Sequence, residues 1–212
     1  MSARRRRSVD VMRMEAPVRI AIVGTSGSGK TTLAHRLGRA LDARVIELDA
    51  LNWGPNWRNL SRTDPELFIE RAKAAAGGDR WVADGNYRLV QPIILERATD
   101  VIWLDYSRWV IMRRVIARSI ARAASGAELW PQTGNRESWR RWLDKEHPIR
   151  WAWDTLAANR ARYEALFASR DSAHLKVRRV RTPVEAERFR VTQRSAGVSS
   201  ANSHAALGET PK

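Results

Sequence analysis

Apolar and polar positions run along this chain in two periodicities, and the switches between them mark its elements. Val18-Arg19-Ile20-Ala21-Ile22-Val23 is a short, almost continuous apolar run, as expected of a strand buried on both faces. Thr32 to Leu41 then places apolar residues at helical spacing. Arg44 to Asp49 reads as a second strand ending in a carboxylate. After a loop with Trp53, Pro55 and Trp57, a helix is predicted to begin at Asp64-Pro65, Asp64 as N-cap and Pro65 as first helical residue. Trp81-Val82-Ala83 is a third strand running into Asp84-Gly85-Asn86-Tyr87, and Asp100 to Leu104 a fourth, ending at Asp105. A long basic helix is predicted from Trp109 to Ala124. The segment from Ser125 to Arg150, broken by Gly126, Pro131, Gly134 and Pro148, reads as an interrupted lid. A helix from Trp151 to Ala168, a strand around Leu175 to Val180 and a Thr182-Pro183-Val184-Glu185 capping box complete the series.

Strands alternating with helices predict an α/β fold, a mostly parallel sheet covered by helices. The 212 residues suit one such domain, over about 17–190 with the lid at about 125–150. Residues 1–16, with Arg4, Arg5, Arg6, Arg7 and Arg13, read as a basic disordered arm, and 191–212 as a disordered tail. There is no internal repeat.

The loop between the first strand and helix carries the chemistry. Gly24-Thr25-Ser26-Gly27-Ser28-Gly29-Lys30-Thr31 is a complete phosphate-binding (Walker A) pattern in the strand–loop–helix setting its mechanism needs. Backbone N–H groups and the helix N-terminus face a polyphosphate, with Thr32 in the first helical turn. Lys30 would reach the terminal phosphates and the Thr31 hydroxyl would ligate Mg²⁺. ATP and Mg²⁺ are thus the expected cofactors.

Ligands meet an open α/β sheet at the C-terminal ends of its strands, where Asp49, Asp84 and Asp105 fall. Asp84 is assigned to the metal, because Gly85 beside it allows close approach. Asp49 is assigned to the acceptor hydroxyl, as proton acceptor or hydrogen-bond partner. Asp105 is expected only to cap the basic helix. That helix carries Arg113, Arg114, Arg118 and Arg122, and Arg118 and Arg122 stand one turn apart as a phosphoryl clamp. Lid arginines Arg136, Arg140, Arg141 and Arg150 join them. From Ser107 to Arg150 there are ten basic residues against four acidic ones, too few acids for a neutralised surface helix.

The formal net charge of +15 suits polyanionic ligands without choosing between nucleotides and a nucleic-acid backbone. With no Cys, disulfides and Cys-ligated zinc are excluded. No apolar run has membrane-spanning length and the first residues lack a signal-peptide core, so a cytoplasmic protein without membrane partners is expected. Of ten tryptophans, Trp81, Trp103 and Trp109 are assigned to the core. Trp53 and Trp57, with Arg58, sit where an acceptor would bind, by packing or by stacking on a ring. Trp130, Trp139, Trp142, Trp151 and Trp153 are expected to dock the lid, and His147 to be solvated.

GTSGSGKTT, then LDALNW, ADGNY, VIWLD and LWPQTGNRESWRRW, resembles the bacterial P-loop kinase-like family, often labelled topology modulation (FlaR-like) or adenylate-kinase-like proteins. The resemblance spans about residues 17–190. It implies a sheet in the order 2-3-1-4-5 with a lid between the fourth and fifth strands. It also implies an Mg²⁺ site at Asp84-Gly85 and an acceptor-phosphate contact at Arg88. Asn86-Tyr87 replaces the Phe-Pro that follows Asp-Gly in adenylate kinases, and the acceptor region is short, so AMP is not the implied acceptor.

The leading expectation is a nucleotide or small-molecule kinase, monomeric or homodimeric. The alternatives are an NTP-hydrolysing nucleic-acid-associated regulator using the basic arm, and a nucleotide-binding protein without turnover. No recognised DNA-reading motif supports the former.

Overall fold

The structure, a computed structural model, describes residues 17–139, 142, 144 and 147–187. The expected arm, the tail, and Arg140 and Arg141 lie outside the described residues. Five parallel strands form the sheet: β1 (Val18–Gly24), β2 (Arg44–Glu47), β5 (Arg80–Asp84), β6 (Asp100–Leu104) and β7 (Lys176–Val180). Their order is β2-β5-β1-β6-β7, and counting only these five along the chain gives 2-3-1-4-5, the order expected. The short strands β3 (Trp53–Gly54) and β4 (Arg58–Asn59) pair antiparallel in a separate small ladder.

Alternation along β1 splits the core in two. Ala21 and Val23 join Trp81, Ala83, Val101 and Trp103 on one face, under Phe68 and Ala72 of α4 (Pro65–Ala75) and Ile94 and Leu95 of α5 (Gln91–Arg97). Ile20 and Ile22 join Val82, Ile102 and Leu104 on the other, under Leu33 and Leu37 of α1 (Lys30–Leu41) and Ile111 and Val115 of α6 (Arg108–Ser125). Both faces are buried because the crossover helices pack on each, which is why these strands read as continuous apolar runs. Helix α7 (Pro148–Ala168) serves both layers, with Ala152 and Leu156 in the second core and Tyr163 in the first.

Several local expectations are met by observed bonds. The Asp64 carboxylate accepts the Leu67 N–H at 3.2 Å as the cap of α4. Thr182 Oγ1 accepts the Glu185 N–H at 3.2 Å, while Glu185 reaches back to the Arg181 N–H at 2.8 Å.

Others need correction. The second strand ends at Glu47, and Asp49 lies in the short helix α2 (Leu48–Asn52). Trp109 is 77% exposed rather than core, because the apolar spacing of α6 continues onto its outer face. Asp105 does not cap α6. Its carboxylate instead binds Arg160 at 2.7 Å and Arg179 at 2.6 Å, tying β6 to α7 and β7. His147 is buried, paired with Glu137 at 3.1 Å, and caps α7 through the Ile149 N–H. Between α6 and α7 the described residues hold turns and one antiparallel bridge, Glu128 with Arg136.

Candidate active site

The loop between β1 and α1 is shaped by what packs behind it. Gly27 has φ +83° and lies under α6, where a Cβ would stand 2.9 Å from Val115 Cβ. Only glycine fits both the conformation and the contact. The helix carrying the arginines is therefore seated directly on the loop. Arg114 Nη1 donates to the Ser28 carbonyl at 3.2 Å, and Arg118 Nη2 to Ser26 Oγ at 3.1 Å. Lys30 Nζ donates to the Thr25 carbonyl at 3.3 Å, and the Ser28 N–H closes the turn onto the same carbonyl at 3.1 Å. Gly29 is the left-handed N-cap of α1, and Thr31 and Thr32 are exposed in its first turn.

Asp84 meets this loop from β5. The Thr31 hydroxyl donates to Asp84 Oδ2 at 2.5 Å, so the two groups assigned to the metal are already together. Burial, followed by the neighbouring Asp49 and Glu47 charges, outweighs the help of Thr31 and Lys30 and raises the Asp84 carboxyl to about 6. Lys30 retains some exposure as a residue, but its ammonium is enclosed. Burial pulls its pKa down, Asp84 and Asp49 oppose that, and Arg118 adds to it. Arg118 is pulled down to about 10, first by burial and then by Arg122, against the charges of Glu137 and Asp49. Carboxylates and cations are thus crowded into one enclosed cluster at the C-terminal edge of the sheet.

A hydroxyl and a carboxylate suit Mg²⁺, which takes few protein ligands and completes its octahedron with water and phosphate oxygens. Among the described residues no group of three or more His, Asp or Glu could hold a metal unaided. The donor set fits a metal brought in with a nucleotide.

The motif after β5 does more than hold Asp84. Gly85 has φ +143°, and a Cβ there would stand 2.7 Å from Leu48 Cβ. The close approach anticipated for a ligand is therefore made by α2. Asn86 clips the phosphate loop to its neighbour strand: its Oδ1 accepts the Gly24 N–H at 3.3 Å, and its Nδ2 donates to the Gly24 carbonyl. Tyr163 donates to the same Oδ1 at 2.7 Å. The Tyr87 hydroxyl donates to Asp49 Oδ1 at 2.7 Å and also interacts with Asn52 and Trp53. ADGNY and LDALNW are thus two halves of one interlocked wall, and Asn86-Tyr87 builds that wall in place of Phe-Pro.

The remaining assigned residues fall around the edge. Trp53 stacks on Trp130 with ring centroids 5.8 Å apart, and Trp57 packs edge-on against both. These rings pack on one another rather than offering open faces. Trp139, Trp151 and Trp153 are about half-exposed, so of the expected lid seam Trp130 makes the contact with the acceptor loop. Arg58 is engaged with Asp64 at 3.5 Å and with Thr63 Oγ1. Arg88 is exposed, and its charge reaches the Tyr163 phenol. Arg122 acts on Arg118 by charge, and its carbonyl caps α6 through the Gly126 N–H.

Arg114, Asn86, Tyr163, Asn135 and Glu137 are in or against the site and were not assigned to it. Arg114 carried a signal, lying one turn before Arg118. Asn86, Asn135 and Glu137 fell inside the motifs ADGNY and LWPQTGNRESWRRW, which marked the segments without indicating a partner, and Tyr163 carried no signal.

No protein-family model and no curated protein matches the sequence. Solved structures do. The shikimate kinase of Acinetobacter baumannii, in complex with shikimate, matches with a TM-score of 0.50 at 17% identity, over 88% of this chain and 96% of that one. The shikimate kinase of Bacteroides thetaiotaomicron matches with a TM-score of 0.51 at 15% identity, over 86% and 99%. At such identities the likeness is one of architecture: this chain has the P-loop kinase fold.

Proposed function

We propose that this protein is an Mg²⁺-dependent phosphotransferase that binds ATP on loop 24–32 and transfers its γ-phosphoryl group to a small-molecule or nucleotide acceptor beside Asp49. One observation carries the reading. Lys30, Thr31, Asp84, Asp49 and Arg118 come from four elements, α1, β5, α2 and α6, yet they act on one another at the end of β1 by charge and hydrogen bond. The fold neighbours, kinases named for the small molecule shikimate, support the same class.

Lys30 and the loop amides would bind the β- and γ-phosphates. Thr31 and Asp84 would hold Mg²⁺, which when bound offsets charge on those phosphates. Asp49, oriented by Tyr87, would take the proton of the acceptor hydroxyl as its oxygen bonds to phosphorus and the bond to the ADP oxygen breaks. Arg118, with Arg114 and Arg122, would stabilise charge on the transferring group. Arg88 and the Trp53–Arg58 turn border the acceptor side.

The test is a thermal-shift and ADP-release screen over nucleosides, nucleotides, small alcohols and hydroxy acids, with Lys30→Ala as the blank. Acceptor-dependent ADP release that vanishes in Lys30→Ala is expected. Equal turnover in the two proteins would overturn the mechanism. The finer FlaR-like resemblance belongs to a second reading, a nucleic-acid-associated NTPase, which rests on the basic arm. We place the enzyme in the cytoplasm; among the described residues no helix is long and apolar enough to cross a membrane.

A further inference from the structure

Segment 126–137 touches both halves of the site. At one end, Asn135 is 2% exposed and uses its whole amide on the turn between β3 and β4. Its Oδ1 accepts the Trp57 N–H at 2.9 Å and its Nδ2 donates to the Gly54 carbonyl at 2.9 Å. That turn is costly to hold, since Asn56 and Trp57 both have left-handed φ values, 55° and 58°. The stack of Trp130 on Trp53 adds a second attachment between the same two segments. Asn135 is equally fixed to its own segment, its carbonyl accepting the Leu129 N–H at 2.9 Å and its N–H donating to Thr133 Oγ1 at 3.2 Å.

Two residues on, Glu137 is buried against His147 and its charge acts on Arg118. Arg118 in turn donates to Ser26 of the phosphate loop. Bonds and charge therefore link the two halves: Ser26 bonds Arg118, Arg118 feels the charge of Glu137, Glu137 lies two residues along the backbone from Asn135, and Asn135 holds Trp57, beside which Trp53 reaches Tyr87 and Asp49.

We propose that Asn135 is a positioning residue that makes segment 126–137 and the acceptor loop 53–59 one mechanical unit, so that nucleotide arriving on loop 24–32 orders the acceptor loop. The inference deepens the ATP-dependent reading and rests on it. A phosphate group that draws Arg118 away from Ser26 changes what Glu137 faces, and Asn135 passes the displacement to the turn it holds. Contiguity alone does not establish coupling, so the claim stands on whether the far segment responds.

The experiment is amide hydrogen exchange on the full chain, with and without Mg²⁺ and a non-hydrolysable ATP analogue, for wild type, Asn135→Ala and Trp130→Ala. Without nucleotide, the Trp57 amide in Asn135→Ala should exchange roughly five- to tenfold faster, having lost its acceptor. With the analogue, wild type should gain protection at 24–32, 126–137 and 53–59 together. Asn135→Ala should keep the protection at 24–32 and lose it at 53–59. Trp130→Ala, which leaves the Asn135 bonds in place, should show the same loss in weaker form and guards against misfolding of the first variant. The proposal is overturned if residues 53–59 of Asn135→Ala respond to nucleotide as wild type does, or if wild type shows protection at 24–32 without any at 53–59. Failure of the analogue to protect loop 24–32 in wild type would overturn the ATP-binding reading and this coupling with it. The Trp57 exchange rate without nucleotide would still decide whether Asn135 holds the turn.

Discussion

Asp84 is a carboxylate whose surroundings work against its own charge. Burial pushes its carboxyl up to about 6, from the usual 3.8 of an aspartate. Between those values the folded chain holds a proton that the unfolded chain has released. Stability therefore falls as pH rises from about 4 to 6 and stays reduced above that. A shift of this size corresponds to a destabilisation on the order of 3 kcal/mol at neutral pH. Asp84→Asn, which can still accept from Thr31, should raise the melting temperature in EDTA at about pH 7.5 and give little gain at about pH 4. It should also abolish the Mg²⁺ dependence of nucleotide binding. A variant less stable than wild type at neutral pH would mean that the carboxylate is not strained. Asp49 is exposed and its charge reaches Lys30, so Asp49→Asn should reduce phosphoryl transfer strongly and ATP affinity only slightly, by calorimetry. Equal weakening of ATP binding by the two substitutions would undo the division of roles.

At the scale of elements, α6 is turned unusually. Arg114 and Arg118 face the loop beside Ile111 and Val115, while Trp109, Ile116 and Ile120 face outward. The functional face is basic, and the outer face keeps apolar residues that the core does not use. Trp109→Ala should change unfolding free energy by no more than about 0.5 kcal/mol, whereas Trp103→Ala, 4% exposed in the parent, should cost about 3–5 kcal/mol. Chemical denaturation of the two variants separates these assignments. Asp105 is the other element-scale device. Its carboxylate is nearly enclosed, while Arg160 and Arg179 remain partly wet. Asp105→Ala should cost about 2–3 kcal/mol, less than a fully buried pair because the arginines can rehydrate. It should leave ATP affinity unchanged, and a large loss of affinity would return Asp105 to the site.

Across the whole molecule the question is where the positive charge goes. The described cations Lys30, Arg114 and Arg118 already bond to Thr25, Ser28 and Ser26 of the loop. Nucleic-acid binding should then reside largely in Arg4, Arg5, Arg6 and Arg7. Deleting residues 1–16 should remove most binding to duplex DNA and spare phosphoryl transfer. A salt titration of both proteins, beside ATPase assays with and without DNA, decides the matter. Retained, steeply salt-dependent binding with DNA-stimulated hydrolysis would favour the nucleic-acid reading, since each neutralised phosphate releases close to one counterion.

The parallel sheet and the phosphate loop were legible because each is written in consecutive residues, whereas the strand order came only from the family resemblance. A strand buried on both faces must be apolar throughout, and the loop's glycines and lysine have fixed spacing. Thr31 and Asp84 were each assigned to the metal from sequence, and the structure adds the hydrogen bond between them. Local pattern could not tell the outer face of α6 from its core face, which is why Trp109 read as core. Nor could it show that His147 finds Glu137, that Asn86 serves Gly24, or that Asn135 holds a turn 78 residues earlier. Those contacts join polar residues in loops, where no periodicity announces a partner. Chain sequence determined which segments form the sheet and its helices and where the Walker A loop lies. Only tertiary packing decided which polar side chains face each other across the cleft, because burial forces each of them to find a partner wherever the fold brings one.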